Sequence, residues 1–280
     1  MVAMMKLAIC NEMFVGWDIE RVFEFVASIG YEGVEIAPFT LADDVRELSK
    51  AKREQIRSSA DAVGIDIVGL HWLLVKPEGL HIHSPDESVR KRTEDYLKAL
   101  IHFCADIGGR IMVFGSPRQR RLVEGESYIE AWERTVRTFS NVMPEAERNG
   151  VTICIEALSP NETDFINTVQ EAIKLVESVS HPNFQLMVDV KAMLSEGRPI
   201  EQLIFEAAPY LKHVHVNDAN MLGPGMGETD YKPIVKALSE IGYDGFLSVE
   251  VFDFSPGAEN IARRSIAYLC EVLSEYGLRS

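Results

Sequence analysis

The stretch Val151-Thr-Ile-Cys-Ile-Glu156 is a short run of apolar and β-branched residues that stops on a carboxylate, just after a helix-like segment closed by Asn149-Gly150. Such a run predicts a buried strand carrying Glu156 at its C-terminal end. The design recurs three times downstream: Phe184–Asp189 ends on Asp189, Leu211–His215 on His215, and Phe246–Glu250 on Glu250. The four ends are spaced by roughly 30 residues, the length of one strand–helix unit. In a parallel barrel the C-terminal ends of all strands open on one face. Three carboxylates brought together there, beside one imidazole, repel one another unless a cation lies between them. The pattern therefore predicts a divalent metal site built from Glu156, Asp189, His215 and Glu250.

The rest of the chain follows the same alternation. Strands are predicted at Lys6–Cys10, Gly33–Ala37, Ile65–His71 and Arg110–Gly115, ahead of the four that carry the candidate ligands. Helical spacing of apolar residues marks Val22, Phe23, Phe25, Val26 and Ile29 after a candidate N-cap at Asp18. Further helices are expected over about 53–63, 86–107, 127–148, 168–179, 200–208, 231–241 and 257–276. Eight strands alternating with eight helices are the count of an α/β (β/α)8 TIM barrel. No linker or low-complexity run interrupts it, so residues 1–280 are expected to form a single domain.

Charge narrows the partners. A net charge of −15 gives no basic footprint for nucleic acid. No apolar run approaches the roughly 18 residues of a membrane span, and no signal peptide is visible, so no membrane partner is expected. The four cysteines are scattered without a CxxC or disulfide-framework spacing, which fits a reducing, cytoplasmic location.

Because side chains alternate along a strand, an inward Glu156 brings Cys154 inward, an inward His215 brings His213, and an inward Glu250 brings Ser248. Cys154 and His213 are read as packed interior residues rather than ligands. A set of three carboxylates and one imidazole suits one hard or borderline divalent ion. Mn²⁺ is favoured, with Mg²⁺, Co²⁺ and Zn²⁺ as the other candidates. Strand three ends on His71, a candidate substrate contact, and Phe14, Trp17 and Trp72 are candidates to pack on the apolar edge of a ligand. Arg118, Arg120 and Arg121 follow strand four. Arginine pairs bind phosphate or carboxylate well, which makes Arg118 a candidate contact to an anionic substrate. The competing reading is a solvated loop paired with Glu124 and Glu126.

At these residues the chain resembles the xylose-isomerase-like barrel superfamily, and within it the sugar and sugar-phosphate isomerase/epimerase group. The pattern is similar to the ketose 3-epimerases of the D-tagatose/D-psicose type. The resemblance covers nearly the whole chain and is carried by Cys154-Ile-Glu156 with Glu162, Val188-Asp189, His213-Val-His215-Val-Asn-Asp218 with Gly-Pro-Gly-Met-Gly227, and Gly242-Tyr-Asp-Gly-Phe246 before Val249-Glu250. It implies one divalent metal held by Glu156, Asp189, His215 and Glu250, an acid/base pair of Glu156 and Glu250, and a substrate contact at Glu162. The substrate is then a small sugar or sugar phosphate, rearranged by proton transfer through a cis-enediolate. Working on opposite faces of one carbon, the pair epimerises it; working on adjacent carbons, it interconverts aldose and ketose. Homodimers or homotetramers are common among such barrels.

Two positions depart from the pattern. The epimerases carry a histidine three residues after the aspartate, where this chain has Ala192, and an arginine six residues after the metal histidine, where it has Met221. These departures speak against a free ketohexose as substrate and leave the metal set intact. Lys191, between Asp189 and Ala192, is read as facing outward. The main alternative on the same scaffold is a metal-dependent dehydratase of an inosose or related polyol ketone. A nuclease of the endonuclease IV kind uses several zinc ions and many more histidine ligands, whereas few of the seven histidines here sit at strand ends and the net charge is −15; a non-catalytic barrel would not need the Glu156/Glu250 pair.

Overall fold

The computed structural model describes residues 4–279. Eight parallel strands, β1 (Lys6–Cys10), β2 (Gly33–Ile36), β3 (Asp66–Leu70), β4 (Ile111–Phe114), β5 (Thr152–Glu156), β6 (Phe184–Asp189), β7 (Leu211–Val216) and β8 (Phe246–Val249), pair in sequence order and close into a barrel as β8 pairs with β1. Among the described residues, nine α-helices connect or follow them: α1 (Ile19–Ser28), α2 (Lys50–Val63), α3 (Glu87–Asp106), α4 (Tyr128–Asn149), α5 (Val169–Val179), α6 (Val190–Ser195), α7 (Ile200–Ala207), α8 (Tyr231–Glu240) and α9 (Ala258–Glu275). The TIM-barrel expectation holds, and strand boundaries fall within a residue or two of those expected from sequence. Among the described residues, no helix is long and apolar enough to cross a membrane.

Capping chemistry sets most helix ends. Ser127 and Glu130 form a reciprocal capping box at the start of α4, as do Thr168 and Glu171 at the start of α5. The α2 helix begins three residues earlier than its apolar pattern suggests, because the Ser49 side chain accepts from the Lys52 N–H. Asp18 occupies the N-cap position of α1 without making a side-chain capping bond. One helix was not expected. The six residues of α6 start directly after Asp189, whose side chain accepts from the Ala192 N–H. A helix this short carries too few turns to show a period of 3.6.

The two faces of the sheet differ in chemistry. Leu7, Ile9, Ile36, Phe114, Ile153, Ile155, Leu186, Val214 and Val249 belong to the large apolar core shared with the helices. The alternate residues face the barrel axis. Val113, Cys154 and Met187 make a small separate apolar layer there. Cys154 is therefore packing, as its sequence context suggested. Above that layer the interior turns polar, with Glu35, His213, His215 and Ser248 all fully or almost fully buried.

Two register shifts fall where the buried charges lie. One lies opposite Val34–Glu35 of β2, where β3 carries the extra residue Val68, and the other opposite Leu186–Met187 of β6, where β7 carries the extra residue Lys212. A bulge re-aims the residues beyond it; past the second shift, Asp189 pairs directly with His215.

Close approach of backbones constrains Gly69 in β3. A Cβ there would lie 1.8 Å from the carbonyl oxygen of Ile111 on β4. Gly69→Ala is expected to cost about 3 kcal/mol or more by forcing the strands apart, lowering the melting temperature by at least about 6 °C. Thermal unfolding followed by circular dichroism measures this, and an unchanged melting temperature would contradict the packing described.

Candidate metal centre

Four strands deliver four side chains to one point. Glu156 is the last residue of β5, Asp189 the last of β6, His215 lies one residue before the end of β7, and Glu250 follows β8 directly. Each offers one ligand atom, and these atoms all lie within 4.8 Å of one another. All four residues are buried. The Nδ1 of His215 is 3.0 Å from Glu250 Oε2, while its Nε2 lies 3.1 Å from Glu35 Oε2. Asp189 accepts from the Ala192 N–H at 2.7 Å and from the Asn217 side-chain amide.

The electrostatics favour a cation. Burial, then the charges of Glu250 and Asp189, pushes the Glu156 carboxyl well above the usual carboxylate range. Burial and Glu250 likewise push Asp189 up to about 6. For Glu250, burial is outweighed by the imidazoles of His215 and His71, which hold it low. Three carboxylates in one buried space thus carry more negative charge than the neighbouring imidazoles balance. The donor set, three carboxylates and one imidazole with no thiolate, fits a hard or borderline divalent ion.

A deeper layer supports this set. The Glu35 carboxylate on β2 spans two imidazoles, with His213 Nε2 at 2.7 Å and His215 Nε2 at 3.1 Å from its Oε2. Burial would raise its pKa, but His213 and His215 hold it well below the ordinary value. The carboxylate fixes the His215 ring so that Nδ1 faces the cluster, the usual function of an acid behind a metal-binding histidine. His213 is thereby the hydrogen-bonded interior residue that alternation predicts.

On the β1–β3 side, Trp72 Nε1 donates to Glu250 Oε1 at 3.0 Å, and His71 Nδ1 lies 3.4 Å from the same oxygen. His71 Nε2 lies 3.1 Å from Glu12 Oε2, in a direction that makes no hydrogen bond. Behind β5, the fully buried Arg120 donates to the Glu156 carbonyl oxygen at 2.6 Å. Sequence reading singled out neither Glu12 nor Glu35 as deciding the site, while Trp72, a candidate to pack on a ligand, is found beside Glu250. A signal existed for Glu35: it is a lone carboxylate inside the apolar strand Gly-Val-Glu-Ile.

A cavity opens beside Glu156 and Glu250, lined also by His71, Trp72, Glu162 and Phe252. Two candidate substrate contacts, His71 and Glu162, are therefore on its wall. Trp17 is not among its lining residues. It packs 5.5 Å from the Phe25 ring with Arg21 stacked over it, and lines a separate groove with Met13 and Phe254. Arg118 is exposed and is also not among the cavity's lining residues.

The arginine loop is only in part the solvated cluster considered from sequence, since Arg118 and Arg121 are exposed. Arg120 is inside, Arg121 donates to the Glu162 carbonyl oxygen, and Glu126 pairs with His83 and Arg134. Lys191 was expected to face outward. Instead its Nζ lies 2.9 Å from Glu162 Oε1, because α6 starts at the strand end and turns the side chain across the mouth of the barrel.

Comparison with known proteins agrees with this architecture. A family model described as a xylose isomerase-like TIM barrel matches residues 23–272. The D-psicose 3-epimerase of Ruminiclostridium cellulolyticum is 30% identical over 243 residues, covering 84% of this chain and 78% of that protein. The L-ribulose 3-epimerase of Mesorhizobium japonicum is 24% identical over 249 residues, covering 89% of this chain and 80% of that protein. The crystal structure of D-psicose 3-epimerase from Clostridium cellulolyticum with D-tagatose superposes with a TM-score of 0.84 at 26% identity, covering 99% of this chain and 100% of that one.

If Glu35 orients His215, Glu35→Gln is expected to weaken Mn²⁺ binding about 10- to 100-fold with the far-ultraviolet circular dichroism unchanged. Calorimetric titration with Mn²⁺ reads this directly. Unaltered affinity in the folded variant would remove Glu35 from the account.

Proposed function

We propose a function for this chain, which belongs to the xylose isomerase-like TIM barrel family: divalent-metal-dependent 3-epimerisation of a small ketose. The coarser assignment, an isomerase of the sugar-epimerase kind, rests on relatives that are themselves 3-epimerases. The observation that carries the finer reading is the position of two carboxylates. Glu156 and Glu250 project from β5 and β8, three strands apart around the barrel, and both line the one cavity.

In this reading Glu156, Asp189, His215 and Glu250 hold the metal, with Mn²⁺ the favoured ion. When bound, the ion supplies Lewis-acid stabilisation of the negative charge that develops on the substrate oxygens. The protein groups do the rest. One of the two glutamates removes the proton from the carbon beside the carbonyl, leaving a cis-enediolate. The other returns a proton from the opposite face, and the configuration at that carbon inverts. Trp72 and Phe252, with ring centroids 6.4 Å apart, give the cavity an aromatic wall. Trp72 also fixes Glu250 by its indole N–H.

The dehydratase reading of the same four side chains finds no support among these relatives.

The test is proton exchange. With Mn²⁺ and a panel of ketoses in D₂O, wild type is expected to place deuterium at C3 of at least one sugar, detected by proton NMR. Glu156→Gln and Glu250→Gln are each expected to lower that rate by at least about 100-fold. Full exchange in either variant would sink the acid/base assignment, and exchange at C1 in place of C3 would make the enzyme an aldose–ketose isomerase.

A further inference from the structure

Resting on the epimerase reading above, we propose that Lys191 is a specificity-determining residue. With Glu162 it forms a two-point clamp for neighbouring hydroxyl groups, which restricts the site to uncharged polyhydroxy ketones and excludes their phosphate esters.

The geometry carries this. Lys191 is the second residue of α6, and its backbone N–H donates to Asn217 Oδ1 at 2.9 Å, which fixes the base of its side chain. Its side chain is only 12% exposed and, without lining the cavity itself, reaches two residues that do. Its Nζ rests 4.2 Å from the centroid of the Phe252 ring and 2.9 Å from Glu162 Oε1. Phe252 and Glu162 both line the cavity beside Glu156 and Glu250. Glu162 is itself held from behind, its Oε2 accepting from the Ser159 N–H at 3.2 Å and the Ser159 hydroxyl at 2.9 Å.

The pair has capacity left over. An ammonium carries three N–H donors, and among the described residues only one from Lys191 is engaged in a hydrogen bond. The ring of Phe252 stabilises the charge without consuming a donor. Glu162 Oε1 keeps room for a second donor. A fixed donor and a fixed acceptor side by side match two adjacent hydroxyls, each of which donates and accepts.

The two positions where ketose 3-epimerases carry sugar-holding polar residues cannot do this work here. Ala192 is a buried methyl, and Met221 is a thioether that is 51% exposed. Lys191 supplies the missing polar contact, so the two replacements do not rule out a free sugar.

Charge decides between a sugar and its phosphate. A phosphate drawn to Lys191 would have to displace Glu162 from a 2.9 Å ion pair. It would then share the cavity with the carboxylates of Glu162, Glu156 and Glu250. Neutral hydroxyls face no such repulsion. The exposed Arg118 stands outside the cavity lining and does not relieve it.

The experiment is calorimetric binding of D-fructose, D-tagatose and D-psicose, and of fructose 6-phosphate, to the Mn²⁺-loaded protein, alongside steady-state kinetics. Wild type is expected to bind at least one free sugar, and to bind it more tightly than the phosphate. Lys191→Met should weaken that binding about tenfold or more, as for loss of a hydrogen bond from a charged group, with Mn²⁺ content unchanged. KM should rise by the same factor while kcat stays within about threefold. In combination with Glu162→Gln, the two losses should be less than additive, since the residues act as one clamp.

Sugar binding by Lys191→Met equal to wild type overturns the proposal. So does tighter binding of the phosphate, or no binding of any of the three sugars by wild type. Binding is read whether or not the sugar turns over. Ketoses held through Lys191 but not inverted would therefore defeat the epimerase reading and leave the clamp standing, whereas epimerisation indifferent to Lys191→Met would do the reverse.

Discussion

Mutual repulsion among buried carboxylates is the constraint around which this barrel is arranged. Glu156, Asp189 and Glu250 meet in a space from which water is largely excluded. Such a group of anions is costly unless positive charge is brought to it. The chain answers partly from its own residues. His215 lies against Glu250, His71 approaches the same carboxylate, and Arg120 is buried behind the Glu156 backbone. Those groups do not balance the set, since Glu156 and Asp189 are still pushed toward their protonated forms. A divalent ion held there would complete the balance, and two of the carboxylates, Glu156 and Glu250, line the cavity beside it.

Holding these groups in register is a task for the layer beneath. The barrel interior has only a thin apolar layer, Val113, Cys154 and Met187, before it becomes a network of Glu35, His213 and His215. A carboxylate shared by two imidazoles orients one of them toward the metal set. The register shifts between β2 and β3 and between β6 and β7 lie at or just below the same residues. Stability and function are therefore joined here: the features that aim the ligands are also buried charge pairs, which cost much when one partner is lost.

The fold and the four strand-end side chains were legible in the sequence for a simple physical reason. A buried parallel strand is an apolar run, and a charge at its C-terminal end stands out against it, as at Glu156, Asp189 and Glu250. Interior charges of the opposite kind were harder. Glu35 sits mid-strand, where alternation alone does not reveal whether it meets solvent or a pair of histidines from β7, some 180 residues away in sequence. Glu12 lies on a loop whose direction has no periodic signal. Lys191 was missed because α6 spans six residues and starts on a side-chain cap from Asp189. Without that turn, the lysine reads as one more solvated cation. Trp17 shows the converse error: a large aromatic near the barrel mouth found its partners in Phe14, Phe25 and Arg21, not in a ligand cavity.

The central claim, that Glu156, Asp189, His215 and Glu250 together hold one cation, is tested most directly by crystals grown with Mn²⁺ and measured at the manganese absorption edge. The account predicts one anomalous peak per chain, within bonding distance of all four side chains. An ion bound instead between Glu12 and His71, or no peak at saturating Mn²⁺, would contradict it.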